Sequence, residues 1–153
     1  MERILIATDG SSAAREAVHF GLELAADEGA AVTFVHVAPD TEPVQVGVYG
    51  VAAVRHQPTP RDYATLVAAC ALAAERGVEA ATKLLQGNPA DEIVAYADSI
   101  GADLIVVGSR GPRRVAGPLL VSVSRDVLTE SRRPVLVVRG SATPVEAEAV
   151  SAL

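Results

Sequence analysis

Five short apolar runs divide the sequence and predict five strands. They cover residues 3–8, 31–38, 78–85, 103–108 and 134–138. The first, fourth and fifth runs are apolar at almost every position, which is typical of strands covered on both faces in a parallel sheet. The pattern therefore predicts a parallel sheet with helices packed on both sides.

Between these runs, apolar residues recur at steps of three and four, which predicts helices. In the first helix the shared apolar face comprises Ala14, Ala17, Val18, Gly21, Leu22 and Ala25. Ser11 or Ser12 is suited to cap its start, and Gly29 to end it. In NPADEIVAYADSIGA, Asn88 is suited to the N-cap and Pro89 to the first helical position.

Two further helices are predicted at about 61–76 and 123–132. Strands that alternate with helices at this spacing imply right-handed crossovers and an open, doubly wound α/β sheet. We expect one domain over residues 1–140 and a flexible tail over 141–153. Residues 39–60 are rich in Gly and Pro and predict a long irregular loop over the carboxyl edge of the sheet, where such folds bind ligands.

The charge is acidic overall but basic in one segment. The chain carries 13 Lys and Arg against 19 Asp and Glu, a formal net charge of −6, and seven of the 13 basic residues lie within 110–139. This balance argues against general nucleic-acid binding and favours a small anionic ligand. Cys70 is the single cysteine, which excludes an internal disulfide, and no apolar stretch has the length of a membrane helix. We expect a cytoplasmic protein without a membrane partner.

Three predicted strand ends carry groups suited to an anionic ligand. Asp9 follows the first strand, His36 and Val37 end the second, and residues 108–111 follow the fourth. The two glycines of that last segment permit positive φ angles and close approach of a phosphate to backbone N–H groups. In addition to these strand ends, Ser122 and Ser124 lie at the start of the next helix, whose N-terminus attracts anions. These groups converge if the first and fourth strands are neighbours.

Other chemistries find little support in the residue pattern. No base-plus-nucleophile pair is recognisable, and the histidines lack metal-ligand spacing, so we expect neither a catalytic residue nor a metal site. We interpret His36 as a hydrogen-bonded sheet residue. An adenine-binding hydrolase or transferase would need an SGGxDS motif, which this sequence lacks. A receiver domain would need paired acids, an Asp and a Lys where this chain has Asp9, Gln86–Gly87 and Arg139.

Over almost its full length the chain resembles the universal stress protein family. The resemblance rests on ILIATDGS, VTFVHVA, QGNPADEIVAYADSIGADLIVVGSRG and SVSRDVLTESRRPVLVV. It implies a five-stranded parallel sheet of order 3-2-1-4-5 and a homodimer that pairs the last strand, 134–138. It also implies a non-catalytic stress-response or regulatory module.

ATP-binding members of that family carry the motif G-x2-G-x9-G-[S/T]. Gly108, Gly111 and Ser122 match it, whereas Val121 replaces the third glycine. If residue 121 must adopt a positive φ, a β-branched side chain there costs about 1–2 kcal/mol. Two readings stay open: a member that binds an adenine nucleotide, and a member that does not bind ATP and acts through protein partners.

The resemblance also assigns roles to individual residues. Contacts to adenine and ribose fall on Ala7, Asp9, Val37 and Val107. Contacts to the phosphates fall on Gly108, Gly111, Ser122 and Val123, with added positive charge from Arg110, Arg113 and Arg114. The implied cofactor is ATP or another adenine nucleotide, with Mg²⁺ held only through its phosphates, or none if Val121 prevents binding.

Overall fold

The computed structural model describes residues 1–109 and 122–140. In chain order the elements are β1 (Arg3–Ala7), α1 (Ser12–Glu28), β2 (Ala31–Ala38), β3 (Thr41–Val46), β4 (Gly50–Arg55), α2 (Pro60–Glu75), β5 (Ala80–Gln86), α3 (Pro89–Ile100), β6 (Leu104–Ser109), α4 (Val123–Glu130) and β7 (Val135–Arg139). The expected tail, 141–153, lies outside the described residues.

Five strands form one parallel sheet in the order β5-β2-β1-β6-β7. Counted over the five predicted strands, this order is 3-2-1-4-5, so the predicted fold class is confirmed. Leu5 at the centre of β1 is in register with Thr33 of β2 and Ile105 of β6. The winding direction reverses between β1 and β6, and doubly wound sheets bind ligands at such a reversal, beyond the carboxyl ends of the strands.

The sheet has a buried layer on each face, as the continuous apolar runs predict. Along β1, Ile4 and Ile6 join the layer under α1 and α2, while Leu5 joins the layer under α3 and α4. All three side chains are fully buried. Burying one such aliphatic side chain contributes about 1.5–3 kcal/mol. The alternation fixes the register and therefore the position of every strand end at the carboxyl edge.

The helix boundaries follow from the predicted caps. Ser11 is the N-cap of α1, where its Oγ accepts a hydrogen bond from Ala14 N at 3.2 Å. Gly29 ends α1 in the left-handed conformation with φ 66°. Asn88 caps α3 in the same way as Ser11, through a 3.2 Å bond from Asp91 N.

The segment 39–60 is not the irregular loop that its Gly and Pro content predicts. Instead, β3 and β4 form a separate antiparallel two-stranded ribbon, which we call the hairpin, with its turn at 47–49. Gly47 supplies the positive φ of 67° that this turn requires. Almost all hairpin residues are exposed, so no core-facing alternation marks the strands, and Pro43 lies in an edge strand, where proline is tolerated.

In the part of the chain that the structure describes, none of the helices combines the length and the apolar character needed to span a bilayer.

Candidate functional site

The carboxyl ends of β1, β2 and β6 lie side by side, as the predicted convergence requires. Ile6 is in register with Phe34 of β2 and Val106 of β6, so Ala7 and Val107 occupy the next position along their strands. Ala7, Val37 and Val107 all pack into the layer under α3 and α4. Their side chains are therefore part of the core, so a contact of these residues with a ligand stays a prediction that concerns their backbone N–H and C=O groups.

Asp9 lies in the exposed turn between β1 and α1. Its Oδ1 accepts a hydrogen bond from Ser11 N at 2.9 Å, so the carboxylate helps to start the helix. Gly10 has φ 79°, and a Cβ at this position would lie 2.5 Å from Thr65 Cγ2 of α2. The turn is thus packed firmly against α2, with the Asp9 carboxylate at the edge of the sheet. The contact of Asp9 with a ligand stays a prediction.

Gly108 also has a packing role that the sequence did not indicate. Its φ is not positive; the described glycines with positive φ lie elsewhere. A Cβ on Gly108 would lie 2.5 Å from the Ala13 carbonyl oxygen and 2.9 Å from Ala14 N. The absence of a side chain therefore lets the end of β6 abut the first turn of α1, and the positive φ that glycine permits is not used at Gly108.

Ser122 is the N-cap residue of α4, in an extended conformation with φ −68° and ψ 115°. Its side chain makes no capping hydrogen bond among the described residues, and its Oγ lies 2.8 Å from Ser124 Oγ. Val123 begins the helix and is 39% exposed. The first turn of α4 thus has N–H groups that Ser122 does not cap, which is the arrangement that attracts an anion.

The remaining predicted phosphate residues lie outside the described residues. They are Arg110, Gly111, Arg113 and Arg114, and Val121, which replaces the third motif glycine, also lies there. The same segment, 110–121, connects the end of β6 to α4, so the approach of Gly108 to Ser122 also stays a prediction.

The sequence interpretation missed a cluster of polar side chains at the hairpin base, because it considered His56 only as a possible metal ligand. His56 is 8% exposed, and its Nδ1 lies 2.9 Å from Glu42 Oε2 of β3. Its Nε2 lies 3.0 Å from Asp62 Oδ2 in the first turn of α2. Asp62 Oδ2 also accepts hydrogen bonds from Thr59 N at 2.6 Å and Thr59 Oγ1 at 2.9 Å. The T-x-x-D capping pattern at 59–62 was the available signal.

The cluster perturbs the titration of both partners. Hydrogen bonds to Glu42 and then to Asp62 raise the pKa of His56 above 6.5, against an opposing effect of burial. The Thr59 backbone N–H and then the His56 hydrogen bond lower the pKa of Asp62 to about 2. Asp62 is therefore ionised throughout the physiological range and His56 is biased towards the imidazolium.

The cluster reaches the sheet edge through His36. His36 Nδ1 lies 3.0 Å from the Thr8 carbonyl oxygen, next to Asp9, and its Nε2 lies 4.0 Å from Asp62 Oδ1. The interpretation of His36 as a hydrogen-bonded sheet residue is confirmed. Among the residues described, no group of three or more His, Cys, Asp or Glu side chains is arranged to hold a metal ion.

Comparison with known proteins identifies relatives along nearly the whole chain. The model of the universal stress protein family matches residues 1–139. Universal stress protein YxiE of Bacillus subtilis is 34% identical over 145 residues, covering 90% of this chain and 98% of the relative.

Solved structures of universal stress proteins also resemble this chain. A universal stress protein in complex with cAMP has a TM-score of 0.71 and 30% identity, covering 92% of this chain and 98% of that one. The universal stress protein of Archaeoglobus fulgidus in complex with dAMP has a TM-score of 0.65 and 28% identity, covering 90% and 98%. The match over residues 1–139, the shared strand order and these relatives establish that the chain belongs to the universal stress protein family.

Proposed function

We propose that this chain is a non-catalytic, dimeric stress-response module that binds an adenine nucleotide at the carboxyl ends of β1, β2 and β6. The observation that carries the proposal is the pair of family structures, solved with cAMP and dAMP, that match this fold over nearly their whole length. Both ligands are adenine nucleotides with one phosphate group. The proposal extends that ligand class to this chain.

We assign each part of the nucleotide to a group at the carboxyl edge. We assign the adenine ring to the backbone N–H and C=O groups of Ala7, Val37 and Val107, which lie near the carboxyl ends of β1, β2 and β6. Asp9 is exposed beside them and suits a ribose hydroxyl, because a carboxylate accepts hydrogen bonds from such groups. The first turn of α4, at Ser122 and Val123, suits the phosphate.

The segment 108–114 completes the proposed phosphate site. From the family motif we assign the phosphate to the backbone N–H groups of Gly108 and Gly111, and charge-assisted contacts to Arg110, Arg113 and Arg114. Mg²⁺ enters only through the phosphates of a bound nucleotide.

Asp9 provides the first test. Calorimetric titration with AMP compares the parent with Asp9→Asn, which keeps the Oδ1 acceptor for Ser11 N but removes the charge. We expect affinity to fall about tenfold or more, because a hydrogen bond to a charged group contributes about 1.5–3 kcal/mol. The matched control is Asp103→Asn, since Asp103 accepts from Glu2 N and Arg3 N near the start of β1, at the opposite edge. Equal loss in both variants would contradict the assigned role.

Val121 provides the second test. If this position requires positive φ, Val121→Gly removes a penalty of about 1–2 kcal/mol and raises affinity for ATP about 5- to 30-fold. No binding of AMP, cAMP or ATP by the parent, with binding by Val121→Gly, would place the protein in the branch that acts through protein partners. No binding by either protein would overturn the nucleotide site.

A further inference from the structure

The hairpin is joined to the rest of the fold at its base. Its two strands pack chiefly against each other, and their residues are almost all exposed. The exposed residues include Val46, Val48, Tyr49 and Val51 around the turn. The hairpin therefore gains little from apolar burial, and polar contacts at its base have a large influence on its position.

The polar contacts that the structure describes between the hairpin and the main domain converge on His56. The His56 backbone N donates to the Asp40 carbonyl oxygen at 2.8 Å and closes the base of the ribbon. Its carbonyl oxygen accepts from Gln86 Nε2 of β5 at 3.2 Å. The imidazole then spans Glu42 on the hairpin and Asp62 on α2. One side chain thus connects the hairpin to the first turn of a helix in the main domain.

Both hydrogen-bond partners of the His56 imidazole are carboxylates, and this determines how many of its ring nitrogens must carry a proton. An ionised carboxylate only accepts hydrogen bonds, so each ring nitrogen must carry a proton to bond both partners. The imidazolium satisfies this requirement. A neutral ring has one proton, so one of its nitrogens then presents a lone pair to a carboxylate oxygen about 3 Å away. Loss of one proton thereby turns one of the two attachments from attractive to repulsive.

We propose that His56 is a proton-controlled latch, which holds the hairpin on the first turn of α2 as an imidazolium and releases it on deprotonation. The surrounding charges fit this role. Glu42 and Asp62 face the ring, and His36 of β2 faces the other oxygen of Asp62. The charged chain neighbours Arg55 and Arg61 are exposed, and Gln86 from β5 is uncharged.

The direction of the pH effect follows from the raised pKa of His56. The attachment is complete below the unfolded value of 6.5 and is lost as pH rises through the higher value of the folded state. Mild acidification therefore strengthens the attachment of the hairpin to α2, and alkaline pH weakens it. The latch lies beside the carboxyl edge because His36 connects Asp62 to the Thr8 carbonyl, but the proposal does not depend on nucleotide binding.

Nuclear magnetic resonance tests the latch in the ligand-free, full-length protein between pH 5.5 and 8.5. The three imidazole signals, assigned through His19→Gln, His36→Asn and His56→Gln, give each midpoint. The methyl signals of Val44, Val46, Val48, Val51 and Val54 report on the hairpin without interference from amide exchange. We expect a His56 midpoint above 6.5 and valine shifts that follow the same midpoint, with increased methyl mobility on the alkaline side.

The variants separate the latch from other titrations. In His56→Gln the valine signals should keep their alkaline positions at every pH, whereas His19→Gln and His36→Asn should retain the transition. Glu42→Gln alters an exposed side chain and should lower both the His56 midpoint and the hairpin transition, which tests the latch even if His56→Gln fails to fold. Valine signals that ignore the His56 titration, or a transition that disappears in His36→Asn, would overturn the proposal.

Discussion

At Gly108 the lack of a single methyl group decides how two elements meet. The Cβ of an alanine here would lie 2.5 Å from the Ala13 carbonyl oxygen, and backbone atoms cannot rotate away as a side chain does. We predict that Gly108→Ala lowers the free energy of unfolding by about 1–3 kcal/mol, the range for overpacked sites. Urea denaturation measures this. A change below about 0.5 kcal/mol would mean that β6 and α1 are less closely packed than the structure indicates.

A second prediction for a single residue concerns Asp62 and the pH dependence of stability. Its pKa is lowered to about 2 from an ordinary value of 3.8, so its ionised form stabilises the folded state above pH 3.8. That contribution is lost as pH falls from 3.8 towards 2. We therefore expect the parent to lose more stability between pH 5 and pH 2 than Asp62→Asn does, as measured by denaturant unfolding at both pH values. Equal losses would mean that Asp62 does not contribute to the loss of stability in acid.

Among the elements, α1 tests whether a single N-cap residue determines where a helix begins. Ser11 and Ser12 are adjacent, but Ser11 is the residue that caps Ala14 N, and Ser12 is the first, exposed residue of the helix. Ser11→Ala should destabilise the protein by about 1 kcal/mol, the usual effect of losing an N-cap. Ser12→Ala is the matched control and should stay within about 0.5 kcal/mol of the parent. Thermal unfolding of the three proteins compares them, and equal effects would contradict the assigned cap.

The elements that the sequence predicts well are those whose signals are local or core-facing. Ser11, Gly29 and Asn88 mark helix ends through hydrogen bonds or backbone angles that depend on a few neighbouring residues. The buried strands are recognisable because both faces must be apolar. The hairpin has neither signal, because its strands are exposed and satisfy their hydrogen bonds against each other.

On the scale of the whole molecule, β7 is an edge strand of the main sheet and the proposed dimer contact. A two-fold interface brings the same residue of both copies close together at its centre. Val137 is the middle residue of β7 and is half-buried. We expect a mass twice that of the 15.7 kDa chain by sedimentation, and weaker association in Val137→Glu, because like charges would then face each other.

The matched control for β7 is the opposite edge of the sheet. Thr82 is exposed on β5, so Thr82→Glu should leave the mass unchanged. A parent that sediments as a monomer, or equal dissociation by both variants, would exclude β7 as the contact.

The candidate site was only partly predictable for a related reason. Asp9 follows β1, and Val37 and Gly108 lie at the carboxyl ends of β2 and β6, so a parallel sheet necessarily brings them to one edge. By contrast, His56 and Asp62 meet Glu42 only because the hairpin folds back onto α2. Contacts of that kind depend on the path of an exposed segment, and periodicity along the sequence carries no information about it.

We propose that an adenine nucleotide binds at the carboxyl edge beside β1 and β6. Backbone amide shifts of the parent, followed during titration with AMP, test it most directly. We predict saturable changes at Asp9, Val37, Gly108 and Ser122, with little change at Glu2 and Gly77 at the opposite edge. Changes concentrated at the opposite edge, or none at saturating AMP, cAMP and ATP, would rule out a nucleotide site at the carboxyl edge.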